Sequence, residues 1–300
     1  MAMAVSDFGT IRKARGAGFT LIEMSIVLVI IGLIIGGVLV GRDLINAAAI
    51  RSQISQIEKY NAAVNTFRGK YGYLPGDIPD PTATQYGFVT RGPNAGMGDG
   101  NGVIEGNYAG GVGANSGLAE ESGETVVFWV DLSTATLIDG GFTTAIENNA
   151  GNPNITGTGI NAYLPHAKLG SSNYIYVWSG GINGGDGNNY FGLSGVASLN
   201  AWLFCTLKCD SITAAQAYTI DSKVDDGLPQ TGRVMAVVLN HAADWAGGVG
   251  GYNGVVPGGR TAGDTTTCYD NGNVNGAPMT YSTEISNGVN VTCALSFKFQ

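Results

Sequence analysis

Between Phe19 and Val40 the chain reads FTLIEMSIVLVIIGLIIGGVLV, 22 residues with a single charge, Glu23. A helix of that length spans about 30 Å, the thickness of a bilayer's hydrocarbon. Fifteen of the residues are Leu, Ile, Val or Phe, and at roughly −0.3 to −0.6 kcal/mol each they contribute about −5 to −9 kcal/mol to insertion. One carboxylate costs at most about 3 kcal/mol on the same scale, and less near a helix end. Insertion therefore wins with Glu23 in place. Arg12, Lys13 and Arg15 precede the run and stay on the cytoplasmic side, so the rest of the chain is carried across.

Two other readings compete. A secretory signal would use the small residues Ala47–Ala49 as its cleavage site. Such signals, however, have apolar cores of about 7–15 residues without a carboxylate. A plain signal anchor explains the length and the basic flank but leaves Glu23 without a role, and ionisable residues inside membranes are functional by default.

Gly18-Phe19-Thr20-Leu21-Ile22-Glu23, behind a short basic leader and ahead of the apolar run, resembles the processing site of type IV prepilins and type II secretion pseudopilins. The resemblance implies a leader at 1–18, cleavage after Gly18 by a membrane prepilin peptidase, and methylation of Phe19 by the same enzyme. It also implies that Glu23 pairs with the N-terminal amine of a neighbouring subunit. The physical logic agrees, because a carboxylate in lipid needs a partner. Further implied partners are other pilin-like subunits in a homo- or hetero-polymer, an inner-membrane assembly platform and a separate ATPase. The implied location is the bacterial inner membrane, single-pass with a cytoplasmic N-terminus, and later a periplasmic or extracellular filament. Where many major pilins carry proline, this chain has Val40.

Beyond the membrane run, Ile50, Ile54, Ile57, Tyr60, Val64 and Phe67 recur every three to four residues, the pattern of an amphipathic helix. No proline interrupts 19–74, so the spacing predicts one continuous helix over 19–70. The stripe covers only about two to three heptads, short of a coiled coil. Leu74-Pro75-Gly76-Asp77 stops the helix and resembles a stretch that follows the helix in prepilin-type proteins, as does Ile220–Gly227.

Residues 71–300 then form an extracytoplasmic head. Residues 80–118 read as a Gly- and Asn-rich loop. The segment 122–141 reads as a helix, although Val126–Val130 also suits a strand. Strands are expected at Asn173–Trp178, Arg233–Leu239 and Val291–Phe299. Thr213–Val224 reads as a helix capped by Thr213. The predicted class is α+β: a long N-terminal helix, transmembrane then amphipathic, packed on a globular head with an antiparallel sheet and Gly-rich loops.

Of the net charge of −8, residues 1–18 hold +2 and the remainder −10. An acidic body argues against nucleic acid, which needs a cationic face. The four cysteines, Cys205, Cys209, Cys268 and Cys293, lie in the translocated part, and an even count there favours disulfides. The expected pairs are Cys205–Cys209 and Cys268–Cys293. Zinc is the alternative, but His166 and His241 sit at no ligand spacing from a cysteine pair.

Asp99, Asn101, the Val103 carbonyl and Glu105 offer hard oxygens at alternate positions, suited to calcium. The segment is not an EF-hand, since Gly110 stands twelfth, and Asn and Gly are also plain turn formers. No other cofactor is indicated. No nucleotide-binding, serine-hydrolase or zinc-protease motif occurs, Ser194 lacks elbow spacing, and Trp129, Trp178, Trp202 and Trp245 suit a core. The expected role is therefore structural and not enzymatic: a filament subunit, whether major, minor or tip. The competing class is a membrane-anchored binding module or hydrolase that never polymerises.

Overall fold

The structure, a computed structural model, describes residues 20–92, 97–106, 123–145, 155–170, 172–180, 186–199, 212–238, 246 and 262–299. The chain divides into two compact units, Met1–Ala47 and Ala48–Gln300. Helix α1 (Leu21–Tyr71) contributes to both. It is the uninterrupted helix that the periodicity predicts.

In the second unit α1 buries Ile50, Ile57, Tyr60, Ala63, Val64 and Phe67. Two glutamines are buried on the same stripe. Gln56 Oε1 accepts the Lys168 amide at 3.0 Å and its Nε2 donates to the His166 carbonyl at 2.8 Å. Gln53 Oε1 accepts the Leu169 amide at 3.1 Å. These bonds satisfy a backbone segment that belongs to no strand or helix, which apolar side chains could not do.

After α1 come α2 (Thr82–Gln85), α3 (Glu124–Thr134), β1 (Ile155–Thr156), β2 (Asn173–Ser179), β3 (Asn189–Gly195), β4 (Ser198–Leu199) and β5 (Ile212–Thr213). They are followed by α4 (Ala214–Val224), β6 (Val234–Val238), β7 (Tyr269–Asp270), β8 (Thr280–Tyr281) and β9 (Val291–Lys298). The main sheet is antiparallel, with β9 as its central strand. Leu295 pairs with Leu193 of β3 on one side and Ala236 of β6 on the other. Ile212 of β5 pairs with Cys293, and β2 completes the sheet beyond β3. The fold is thus α+β with an antiparallel sheet, as the sequence implies.

The core is aromatic. Tyr60 of α1 meets Trp129 of α3 edge-on, with ring centroids 5.1 Å apart, and Phe191 of β3 at 6.1 Å. Phe128 and Phe299 close the cluster around Phe191. Such pairs add about 0.5–1.5 kcal/mol each beyond the area they bury. Helix α3 is shorter than the expected 122–141. It stops at Thr134, and Thr136 takes a left-handed φ of 58°.

Helix α4 starts as the sequence predicts. Thr213 Oγ1 accepts the Gln216 amide at 3.1 Å while Gln216 Oε1 accepts the Thr213 amide at 3.1 Å, a reciprocal capping box. Its far end, the Ile220–Gly227 stretch, is a fastening point. Asp221 accepts the Tyr281 hydroxyl at 2.8 Å and the Gly227 amide at 3.2 Å. Asp225 accepts the amides of Arg233 and Val234, so this turn aligns β6 and β8 on α4. The Cys268–Cys293 disulfide forms as expected and ties the β7 segment to the central strand.

Candidate functional site

Two places concentrate the chemistry read from the sequence: the start of α1 and the loop 97–106.

At the first, Thr20 immediately precedes α1. Its amide and its hydroxyl each donate to Glu23 Oε2 at 2.8 Å. The Glu23 amide donates back to Thr20 Oγ1 at 3.3 Å. A Thr three residues ahead of a Glu is the capping-box spacing, and a carboxylate at a helix N-terminus also complements the macrodipole. Glu23 therefore has a partner within its own chain. Gly18 and Phe19 lie outside the described residues.

From Leu21 to Ile45 the large apolar side chains of α1 are exposed. Among the described residues, α1 is the one helix long and apolar enough to cross a membrane, and its most apolar window is wholly unburied within the protein. An apolar surface of this extent marks contact with lipid or with other protein.

At the second place, the loop folds around carboxylates. Asp77, from the Leu74–Asp77 turn after α1, accepts the Gly100 amide at 2.7 Å and the Gly102 amide at 2.8 Å. Glu124, the first residue of α3, accepts the Gly98 amide at 2.6 Å and the Glu105 amide at 2.8 Å. Gly98 is required there. Its φ is +56°, and a β-carbon would lie 2.6 Å from the Ile78 carbonyl oxygen. One oxygen each of Asp77, Asp99 and Glu124 lie within 4.8 Å of one another.

The sequence-derived set Asp99, Asn101, Val103 and Glu105 falls in this loop. Asn101 Nδ2 donates to Asp99 Oδ2 at 3.0 Å and approaches Glu105 Oε2 at 3.4 Å. Asn101 Oδ1 accepts the Val103 amide at 2.7 Å. Sequence reasoning missed Asp77 and Glu124, which reach the loop from distant elements with no spacing signal.

Burial pushes the Asp77 carboxyl up to about 6, against the pull of the Gly102 and Gly100 amides. Burial, with the charge of Asp99 behind it, raises Glu105 to about 7. Burial and the charge of Asp77 raise Glu124 well above its ordinary range. The buried cation nearby, Arg91, pairs with Asp131 through Nη2, 2.6 Å from Oδ2, while its Nη1 has no hydrogen-bond partner.

Other polar groups of the head are engaged within the fold. Asp221, Asp225 and Asp226 form a second acidic group, but they are engaged in the bonds that hold β6 and β8 and in those of Asp226 to Leu228 and Thr231. Ser194 Oγ lies 2.7 Å from the buried Tyr176 hydroxyl. His166 stacks on Tyr174. Asp186 accepts the Asn188 amide at 2.9 Å and the Tyr190 hydroxyl. Trp129 and Trp178 are core residues. Cys205, Cys209, His241, Trp202 and Trp245 lie outside the described residues.

A protein-family model described as the prokaryotic N-terminal methylation motif matches residues 13–39, the segment that carries the prepilin and pseudopilin resemblance. No curated protein and no solved structure matches the chain.

Proposed function

From a chain that carries the prokaryotic N-terminal methylation motif at residues 13–39, we infer a structural subunit of a type IV pilus or a type II secretion pseudopilus. In this reading the leader 1–18 is removed after Gly18, Phe19 becomes the methylated N-terminus, and α1 (Leu21–Tyr71) is the polymerising element. Before assembly α1 holds the subunit in the inner membrane, and afterwards it packs against the α1 helices of neighbours.

The observation that carries the reading is the join between motif and helix. The motif runs directly into a 51-residue helix whose first half exposes a continuous apolar surface with Glu23 in its first turn. A lone subunit in lipid keeps Glu23 on Thr20. A neighbour's protonated N-terminal amine supplies opposite charge in a low-dielectric setting, where an ion pair is strong. Glu23 thus favours assembly in register over a lone helix.

The N-terminal mass of the mature protein tests this. A chain starting at N-methylated Phe19 supports the reading, and a start near Ala47–Arg51 sinks it. Filament incorporation of Glu23→Ala tests the assembly step, because normal incorporation would remove the role given to Glu23.

A further inference from the structure

We propose that Asp77, Asp99 and Glu124, completed by Glu105, bind one calcium ion that fastens the loop 97–106 to the turn after α1 and to the start of α3. The argument is independent of the filament reading.

Geometry comes first. Calcium sits about 2.3–2.6 Å from its oxygen ligands, so two oxygens on one ion stand at most about 5 Å apart. One oxygen from each of Asp77, Asp99 and Glu124 meets that condition mutually, within 4.8 Å. Asp77 and Glu124 are buried while Asp99 is exposed. The site therefore has an inner wall and an open side. Asp77 and loop residues Gly100–Val103 also line a cleft together with Arg68, Tyr73 and Leu74.

The independent sign of a ligand is Glu105. Its side chain is fully buried, yet Oε1 has no hydrogen-bond partner. Its other oxygen has only the 3.4 Å approach of Asn101 Nδ2. Asn101 Nδ2 bridges Glu105 to Asp99, and the Glu105 amide donates to Glu124 Oε2, so this carboxylate lies beside the other three. A buried carboxylate oxygen without a donor, beside three further carboxylates, is a strongly unfavourable arrangement. Arg91, at the edge of the cluster, pairs with Asp131. A divalent cation removes this repulsion and places positive charge beside the unpartnered Glu105 oxygen.

The donor set selects the ion. All four side chains are carboxylates, and no His or Cys stands among the described residues of the loop. This favours a hard cation over zinc. Ligands drawn from two loops and a helix start suit calcium's flexible coordination better than the near-ideal octahedron that magnesium demands. The acidic group at Asp221, Asp225 and Asp226 lacks the second sign, since none of its buried oxygens is left without a partner.

The test uses the full chain in detergent, stripped with chelator and titrated with calcium chloride by calorimetry, with melting followed in parallel. One calcium per chain is expected, with Kd of about 1 mM or tighter, as in extracellular calcium modules, and melting should rise on addition. Asp99→Asn and Glu105→Gln should each weaken binding about tenfold or more. Both should melt no lower than the parent without the ion, because each removes a repelled charge; this is a readout that a merely structural role would not give. Asp226→Asn should bind like the parent. No heat and no melting shift up to about 5 mM calcium would overturn the site. Binding unchanged in both loop variants would also overturn it, and magnesium binding as tight as calcium would overturn the choice of ion.

Discussion

Arg91 and Asp131 form a buried ion pair with Nη2 2.6 Å from Oδ2, and the same Asp131 oxygen accepts the Gly76 amide at 2.7 Å. One carboxylate of α3 thereby fixes both the Leu74–Asp77 turn and the segment around Arg91. Arg91 Nε in turn donates to the Ile78 carbonyl at 3.1 Å. Removing one partner of a buried pair leaves the other charge uncompensated and costs about 3–5 kcal/mol. Asp131→Ala should lower stability by that amount in urea denaturation. Pairing it with Arg91→Met should recover a large part of the loss; a double variant as unstable as Asp131→Ala would refute the account.

The Asp221 carboxyl gives a prediction in pH. Burial raises it from 3.8 to about 6, opposed by the Tyr281 and Gly227 bonds and reinforced by the charges of Asp226 and Asp225. A raised carboxyl means that the folded state holds its proton more tightly than the unfolded state. Its contribution is therefore complete below pH ~4 and lost as pH rises through about 6. Asp221→Asn keeps an acceptor for Gly227 and can donate to the Tyr281 oxygen, but it does not titrate. The stability of the variant relative to the parent should grow by up to about 3 kcal/mol between pH 4 and 8. A difference independent of pH would refute it.

The disulfide between Cys268 and Cys293 closes a loop with a sequence separation of 25. Loop-closure entropy for that length gives about 3–4 kcal/mol of stabilisation. Replacing both cysteines by serine should lower stability by at least that much, because both side chains are fully buried. Denaturant midpoints with and without reductant measure it, and the double variant should no longer respond to reductant through this pair.

Substitution can separate the helix-start bonds of Glu23 from the assembly role proposed for it. Gln at the same position still accepts from Thr20 and preserves the capping box, whereas Ala loses it. Amide exchange in the first turn of α1 should therefore be unchanged in Glu23→Gln and faster in Glu23→Ala. On the proposed function, filament yield should fall about tenfold or more in both, since each lacks the charge. Normal yield with Gln would assign Glu23 to the helix start alone.

Helices α1, α3 and α4 and most long strands were legible from local pattern, whereas the single turn of α2 falls within the 80–118 stretch that reads as loop. Helix α1 follows from its periodicity, α4 from the Thr213 cap, and β2, β6 and β9 from their β-branched and aromatic runs. Strand β3 was not, because Gly192 and Gly195 dilute the signal. Gly192 is there for packing: a β-carbon would lie 2.1 Å from Tyr176 Cε2 on the paired strand. The buried Gln53 and Gln56 were equally hidden, since their partners are backbone atoms more than a hundred residues away. At the loop, Asp99 and Glu105 stand in a readable oxygen-rich run. Asp77 and Glu124 join them only through the fold, and sequence spacing carries no trace of it.

The central place of β9 has a consequence for the order of events during synthesis. Tyr190 of β3 has Trp178 of β2 on one side but needs Lys298 on the other, and among the described residues Ile212 of β5 and Val234 of β6 pair with Cys293 and Phe297. A chain emerging from its N-terminus thus holds three strands with open edges until its last strand arrives, and such edges invite wrong pairing. High contact order also makes the final closure slow. On the proposed function, the membrane helix is complete long before the sheet can form, so the emerging chain waits at the membrane for the segment that closes it.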